Sequence, residues 1–297
     1  MTITIFVIVT AVFFATRLSG NAIDFIIGEG ITQEDRRILT VYYGLDASVW
    51  EQYWRYLGSF LDGQFGLSFH ERRPVSAIFA ERLGPTARLL ACSILFTVAV
   101  SLPLGILGAV YRKSWIGSAV MAFAFLGYAI PNFVLATLLI LVFAYTLNLL
   151  PVVGDATPWH FVMPTLALSL YLVAGLTRFT RNAMLDVLNQ DYMRTARAKG
   201  LPERRVILKH GAKNASITVL SVIGLQVAGL AAAGNVVVES VFSWPGVGDL
   251  LVRAAILRDY PVLQFGVLAV SIAVILVNTT VDIAYAYADP RMRLRGR

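Results

Sequence analysis

The sequence is poor in cysteine, histidine and charge, and each shortage excludes a class of protein. Its 297 residues include one cysteine, Cys92, and three histidines. A single cysteine forms neither a disulfide within the chain nor a thiolate metal site. His70, His160 and His210 lie far apart in the sequence and lack paired ligand spacing, so a metal or hydrolytic site is not expected.

Charged residues make up 14% of the chain, whereas hydrophobic residues make up 57%. A soluble domain of this length would need more charge to cover its surface. The charges are collected into a few segments, which are separated by apolar runs long enough to cross a membrane. Near-continuous runs favour helices over the alternating strands of a barrel. We therefore predict an all-α integral membrane protein.

A phosphate-binding G-x-x-x-x-G-K-[ST] motif is also missing from the sequence. The stretch GVGDLL at Gly246 lacks the final glycine of a dinucleotide-binding motif and has no preceding soluble strand. If this chain takes part in an ATP-driven process, the ATPase is therefore another polypeptide. Because paired catalytic residues are missing too, we do not expect an enzyme.

Six segments have the apolar character of membrane-spanning helices. The first lacks a basic leader and a clear cleavage site, which favours an uncleaved span over a signal peptide. The third is long enough to be tilted, or broken at Pro131. The predicted spans are 1–16, Leu89–Val110, Ile116–Leu147, Phe161–Thr180, Ile217–Val238 and Gln264–Tyr287.

Residues 17–88, between the first two spans, are too many for a simple connection, so we expect a small subdomain there. Trp50, Tyr53 and Trp54 recur at helical spacing within it. This pattern fits a helix at the membrane interface, or an amphipathic helix packed on the rest of the loop. The remaining chain divides into a five-helix core at 89–288 and a tail at 289–297.

Fifteen of the 25 Lys and Arg residues fall on one side of the predicted spans, in three short segments. Most of the others lie in the long first loop, where acidic residues outnumber them. Because short loops carry the positive-inside rule, the side with fifteen cations is expected to be cytoplasmic. Both termini and the residues Asp191–Ala215, here called the basic segment, then face the cytoplasm.

The basic segment and the residues before it predict a helix, a break and a second helix. Ala183–Lys199 is rich in helix formers, Gly200 suits the position after a helix end, and Pro202 suits the first turn of a helix towards Ala215. Basic helix pairs also bind DNA. Both ends of this pair feed into spans, however, so nucleic acid is not an expected partner.

Contact with anionic lipid would explain the charge of the basic segment but not its small residues. Thr195, Ala196, Ala198 and Gly200 would allow another protein to approach the backbone, with Arg and Lys at the rim. We interpret the basic segment as a docking element for a partner protein.

The basic segment resembles the EAA loop of ABC importer permeases, a pattern of Glu-Ala-Ala followed after three residues by Gly. Arg194, Thr195 and Ala196 stand at Glu-Ala-Ala, and Gly200 stands at the glycine. His210–Lys213 replaces the apolar and Leu-Pro end of that pattern. RTARAKGL and ERRV resemble the form found in the dipeptide, oligopeptide and nickel permease family. So do RPVSAIFAERLGPTARLL, VFSWPGVGDLLVRAAILRDYP and VDIAYAYADPRMR, which extend the likeness over nearly the whole chain.

The resemblance implies a type I ABC importer permease in a bacterial inner membrane, with six transmembrane helices, a large first extracytoplasmic loop and a coupling loop at residues 181–216. The implied partners are a second homologous permease subunit in a heterodimer, two cytoplasmic ABC ATPase subunits, a solute-binding protein and the lipid bilayer. ATP and Mg²⁺ would be bound by the ATPases and no cofactor by this chain. Peptides, nickel chelates, glutathione and opines are among the implied substrates. The implied ATPase-coupling residues are Asp191, Arg194, Thr195, Ala196, Ala198, Lys199, Gly200, Leu201, Glu203, Arg204 and Arg205.

Polar residues within spans are candidates for a translocation path, because a charge near the bilayer centre costs about 2.5 to 3.5 kcal/mol. Each has an alternative role as a hydrogen-bonding contact between helices. An ion-coupled secondary transporter and an intramembrane enzyme are the alternative functions, disfavoured because paired broken half-helices and paired catalytic residues are not evident. The candidates for the path are Pro131, Asn132, Gln226, Asn235 and Glu239.

Overall fold

The computed structural model describes residues 2–18, 33–42, 44–230 and 236–288. Among these residues almost all regular structure is helical, and one isolated bridge pairs Leu67 with Pro74. The helices are α1 Thr2–Leu18, α2 Gln33–Tyr42, α3 Val49–Leu61, α4 Val75–Val110, α5 Trp115–Ala129, α6 Asn132–Leu139, α7 Val162–Leu188, α8 Asp191–Ala198, α9 Glu203–Arg205, α10 Lys213–Gly229, α11 Val236–Val241, α12 Val247–Ile256 and α13 Tyr260–Ala288. The π-helical segments Ile140–Thr146 and Val206–Ala212 and the 3-10 turn Pro158–Phe161 join some of them.

Within the described part of the chain, three helical stretches are long and apolar enough to cross a membrane: Val75–Val110, Pro158–Leu188 and Tyr260–Val281. Trp115–Ala129 and Asn132–Thr146 meet the same criterion as a bent pair. Two further apolar helices, at Ile3–Leu18 and Thr218–Gly229, are shorter. The all-α membrane architecture is confirmed, whereas the count of six spans stays a prediction.

The second predicted span, Leu89–Val110, is the end of a helix that begins at Val75. Glu81, Arg82 and Arg88 lower the hydropathy of its first turns without interrupting the helix. The buried side chains of Val75 and Ile78 pack with Val247 of α12. Helical structure therefore starts well before the apolar run that predicted the span.

The third predicted span is broken at Pro131. Ile130 is extended, with ψ of 118°, because proline disfavours a helical conformation in the residue before it. The chain restarts as helix at Asn132, and the two helical axes differ by 97°. The break is one of the two possibilities that the sequence left open.

The predicted helix Ala183–Lys199 is wrong in its continuity. α7 ends at Leu188, Gln190 is extended, and α8 begins at Asp191. The break lets Met193 of α8 pack beside Val187 and Leu188 at the end of α7. The second predicted helix, towards Ala215, instead runs on to Gly229 through a π-helical segment.

The chain divides into two compact units. The first comprises Met1–Thr86 and Pro245–Ile275, and the second Ala87–Trp244 and Leu276–Arg297. In the first, α1 packs on α3, where the hydroxyls of Thr10 and Tyr53 lie 2.7 Å apart. Asp259 is buried there and accepts a hydrogen bond from the Phe69 amide at 3.2 Å.

In the second unit, α7 packs against α5, α6 and α10. The buried Ser169 hydroxyl on α7 donates to the Ser93 carbonyl of α4 at 3.1 Å. Arg181 Nε, in the C-terminal part of α7, donates to the Gly108 carbonyl at 3.2 Å. Both candidate sites described below lie on helices of this unit.

Candidate functional site

The helix α8 at the start of the basic segment has one buried face and one exposed face. Met193 and Ala196 are buried, and Asp191, Arg194, Thr195 and Ala198 lie opposite them at helical spacing. The side chains of Asp191 and Arg194 are 96% and 79% exposed, although they lie only 3.6 Å apart. The exposed face therefore offers small residues flanked by one charge of each sign.

The buried face of α8 rests on an apolar cluster. Met193, Ala196 and Val206 are buried together, with Leu201 partly buried against them. Among the predicted coupling residues, Ala196 and Leu201 thus turn inward and do not contribute to the exposed face. Their burial couples α8 to α7 and to the π-helical segment after α9.

Gly200 ends α8 in the left-handed conformation. Its φ is +73°, and its amide donates to the Arg197 carbonyl at 2.9 Å. An added Cβ at this position would meet no atom within 4 Å. Glycine is therefore required by the backbone rather than by crowding, and the space above Gly200 is open.

An ion pair closes the turn between α8 and α9. Arg197 donates from Nη2 and Nε to the carboxylate of Glu203, with distances of 2.9 to 3.2 Å. These hydrogen bonds hold the pKa of Glu203 below its ordinary value. Glu203 is therefore engaged by Arg197 within the turn, although its side chain remains exposed.

The cations that follow lie on the surface. Arg204, Arg205 and Lys209 border an open groove with Pro202 and Leu208. Lys199 is exposed as well, at the C-terminus of α8. The basic segment therefore presents its positive charge around the turn, next to the exposed face of α8.

The second candidate site is a cavity of about 620 Å³, here called the α7 cavity. Its volume falls within the range typical of small-molecule sites. Pro131, Asn132 and Gln226 all border it, so the structure brings together three of the predicted path residues. The lining residues are Tyr128, Ala129, Ile130, Pro131, Asn132, Leu168, Tyr171, Leu172, Gly175, Phe179, Leu225, Gln226, Gly229 and Leu230.

Gln226 is held in the wall of the α7 cavity by a hydrogen bond. Its Nε2 donates to the Leu172 carbonyl of α7 at 3.2 Å. Gly175 makes room for this contact, because a Cβ there would lie 3.3 Å from Gln226 Nε2. Gln226 thus joins two helices and also borders the cavity, while its predicted role in a translocation path stays a prediction.

Two tyrosines that the sequence analysis did not single out also line the α7 cavity. The rings of Tyr128 and Tyr171 are stacked with their centroids 4.6 Å apart, and Tyr171 donates to the Tyr128 hydroxyl at 3.0 Å. Arg178 lies over the Tyr128 ring at 5.9 Å. The spacing of Tyr171, Gly175 and Phe179 along one helix face was the available signal.

The remaining path candidates are placed differently. Glu239 is fully buried in α11 and does not line the α7 cavity. Asn235 lies outside the described residues. Within the described ranges, no group of three or more His, Cys, Asp or Glu side chains is arranged to hold a metal ion.

Apolar helices of spanning length define an integral membrane protein, and a cavity beside a broken helix gives it a candidate small-molecule site. Residues 101–294 match the family model described as binding-protein-dependent transport system inner membrane component. The chain is 41% identical over 293 residues to the glutathione transport system permease protein GsiC of Escherichia coli strain K12 and of Shigella dysenteriae serotype 1, covering 98% of this chain and 95% of each relative.

Solved structures share the fold. An inward-facing MetNI methionine ABC transporter aligns with a TM-score of 0.61 at 17% identity, over 73% of this chain and 98% of that chain. An amino acid ABC transporter with histidines aligns with a TM-score of 0.56 at 14% identity, over 71% and 94%. The chain belongs to the binding-protein-dependent inner membrane component family. It is a permease subunit of an ABC importer and not an enzyme, and ATP is used by a separate subunit.

Proposed function

We propose that this chain forms half of the translocation path of an ATP-driven importer and that α8 is its docking element for a cytoplasmic ATPase. The observation that carries the proposal is the exposed face of Asp191, Arg194, Thr195 and Ala198. This face ends at Gly200, above which the space is open. Arg204, Arg205 and Lys199 supply polar contacts at its rim, and Glu203 fixes the turn through Arg197.

The buried contacts of α8 suit it to transmit motion. Closure of an ATPase dimer displaces whatever is docked on it as a rigid body. α8 is short, and Met193 and Ala196 tie it to Val206 and to the end of α7. A displacement of α8 would therefore reach α7, which borders the α7 cavity, instead of being lost in a flexible loop.

The proposed assembly contains a second, homologous permease subunit in a heterodimer and two cytoplasmic ABC ATPases that bind ATP and Mg²⁺. An extracytoplasmic solute-binding protein delivers the solute. The family description, an inner membrane component of a binding-protein-dependent system, supports these partners. The chain itself contributes the path and the docking element, and the bilayer surrounds its spans.

We place the chain in a bacterial inner membrane with both termini in the cytoplasm. The concentration of fifteen Lys and Arg residues on one side supports this orientation. Residues 17–88 then form an extracytoplasmic subdomain, 89–288 the permease core and 289–297 a cytoplasmic tail. The coupling loop, 181–216, contains the whole basic segment.

The α7 cavity is the proposed part of the path on this chain. Pro131, Asn132 and Gln226 line it, and we retain Asn235 and Glu239 as candidates at other levels of the path. The solute is a peptide or a related small molecule, such as a nickel chelate or an opine. The identity to glutathione permeases over nearly the full length supports a peptide-like solute.

The docking role is tested by two substitutions of Gly200. Gly200→Asn keeps a small residue that tolerates the left-handed conformation, whereas Gly200→Trp fills the open space above α8. The complete transporter is reconstituted in proteoliposomes, and ATP hydrolysis and solute uptake are measured. Gly200→Trp is expected to lose at least about tenfold in uptake per ATP, which corresponds to about 1.4 kcal/mol of coupling.

Gly200→Asn is expected to retain uptake, and both variants should elute as monodisperse complexes or subunits in detergent. Full uptake and unchanged ATPase capture by a monodisperse Gly200→Trp variant would contradict the docking role. The comparison separates an occluded surface from a strained backbone, because both variants replace glycine at the same φ.

A further inference from the structure

The α7 cavity has an uneven distribution of polar groups. None of the described residues that line it is acidic, and its polar side chains are two tyrosines, Asn132 and Gln226. Gln226 Nε2 is engaged with the Leu172 carbonyl. The two tyrosine hydroxyls are further hydrogen-bond donors in the lining.

The hydroxyls of Tyr128 and Tyr171 leave one donor available to a ligand. They share one hydrogen bond of 3.0 Å, and each hydroxyl carries one hydrogen. Whichever tyrosine donates within the pair, the other hydroxyl hydrogen remains for a further acceptor. The stacked rings, 4.6 Å apart, keep both oxygens at the same place on the cavity wall.

A cation, Arg178, lies near the same tyrosine pair. The guanidinium carbon of Arg178 is 5.9 Å from the centre of the Tyr128 ring. Phe179, its neighbour in sequence, and Gly175, about one turn earlier, both line the α7 cavity. Arg178 is exposed, in contrast to Arg181, which is bonded to the Gly108 carbonyl. The guanidinium thus stands at the rim of the cavity, over the ring of one of the two paired tyrosines.

We propose that Arg178 and the Tyr128–Tyr171 pair form a binding site for an anionic group, such as a carboxylate, of the transported solute at the rim of the α7 cavity. The proposal deepens the proposed function and rests on it, because the occupant is taken to be the solute. Guanidinium and phenol donors together match the oxygens of a carboxylate. With no acidic side chain in the described lining to repel it, the anion is favoured over a cation of equal size.

The preference of the proposed site for anions is tested on the full-length chain in detergent. This test does not depend on transport activity. Exposed Cys92 is replaced by serine, and a single reporter is introduced as Leu225→Cys, in the cavity lining. Its modification rates by anionic sulfonatoethyl and cationic trimethylammonioethyl methanethiosulfonate are compared. Arg178→Gln should lower the anion-to-cation rate ratio roughly tenfold, as expected for one charge about 6 Å from the reagent in water.

A matched reporter, Leu95→Cys on α4, controls for general surface charge, since Leu95 is exposed and does not line the cavity. Its rate ratio should not depend on Arg178. Arg178→Lys should retain the preference of the Leu225→Cys reporter for the anionic reagent. An equal ratio in the parent and Arg178→Gln chains, or an equal change at Leu95→Cys, would overturn the proposal.

A second measurement separates a solute site from a site for lipid phosphate. S-methylglutathione, a peptide with free carboxylates, and a short-chain phosphatidylglycerol are tested for protection of the Leu225→Cys reporter against a neutral maleimide. Protection by the peptide that disappears in Arg178→Gln supports the site, and protection by the lipid alone contradicts it. An Arg178-dependent charge ratio without protection by the peptide would contradict the peptide-like solute of the proposed function while leaving the anion preference intact.

Discussion

At the scale of single residues, a glycine of α4 sets how closely this helix approaches α7. A Cβ on Gly105 would lie 2.9 Å from the Thr177 carbonyl and would also collide with the Thr180 side chain. Both threonines are buried. Neither helix can therefore accommodate a Cβ at Gly105 without opening the interface between α4 and α7. Sequence patterns give no warning of this requirement, because Gly105 stands in an ordinary apolar run.

Gly105→Ala is accordingly expected to destabilise the protein by about 1 to 3 kcal/mol through overpacking. The measurement is thermal unfolding of the detergent-purified chain, followed by fluorescence-detected size exclusion. Gly84→Ala, on the same helix, is the matched control because a Cβ there meets no atom within 4 Å. Equal melting temperatures for the two variants would show that the close approach at Gly105 does not exist.

The pair of Arg197 and Glu203 makes a second prediction at this scale. Hydrogen bonding to Arg197 lowers the pKa of Glu203. Because the carboxyl pKa is depressed, the ion pair stabilises the folded state at pH values above the ordinary glutamate pKa. This stabilisation is lost as the pH falls through the lowered pKa. We expect the Glu203 carboxyl carbon to titrate below the ordinary glutamate range in ¹³C NMR spectra.

Arg197→Ala should return the Glu203 titration to the ordinary glutamate range. An unchanged Glu203 titration in that variant would mean that the pair does not form in solution. Arg194→Ala is a suitable comparison, since the guanidinium of Arg194 lies 3.6 Å from the carboxylate of Asp191. The pair lies at the surface, so its effect on overall stability should be small.

At the scale of helices, the main departures from the sequence analysis have identifiable causes. Hydropathy locates apolar runs, but α4 extends through Glu81 and Arg88 because its first turn packs on α12. The sequence contains no glycine or proline at the break before Asp191. At this break, Met193 and Ala196 pack against the end of α7. Intrinsic helix propensity does not include such tertiary contacts, so it cannot predict their effect on where a helix begins or ends.

Where a backbone signal existed, the prediction succeeded. Gly200 takes the left-handed conformation expected after a helix end, and Pro131 coincides with a break. Of the residues that line the α7 cavity, the choice of polar residues within predicted spans identified Asn132 and Gln226 but not Tyr128 and Tyr171. The tyrosines come together through the packing of α5 on α7, a pairing that one sequence without homologues does not reveal.

The bend between α5 and α6 makes a prediction at this scale. In Pro131→Ala the restored amide can join the helix and Ile130 is released from its extended conformation, so the 97° bend should open. Spin labels at the exposed positions Ala122 and Leu138 should move apart, as measured by double electron–electron resonance. Phe133→Ala, which leaves the proline in place, serves as the control, and an unchanged distance in Pro131→Ala would show that packing alone maintains the bend.

At the scale of the whole molecule, this chain is one subunit of a larger transporter. The family match and the identity to permease proteins establish a permease subunit of a binding-protein-dependent importer. The α7 cavity and the basic segment belong to the same compact unit, and both involve α7. A partner that moves α8 therefore acts on a helix that lines the proposed path.

The most direct test of this account is site-specific photocrosslinking in the assembled transporter. A photoreactive phenylalanine analogue replaces Ala198, on the exposed face of α8, or Asp155, in the loop before α7, as the control. We predict that the Ala198 position captures the ATPase subunit, with a yield that changes when ATP is added, and that the Asp155 position does not. Capture of the ATPase from Asp155 but not from Ala198, in complexes that contain it, would contradict the docking role of the basic segment.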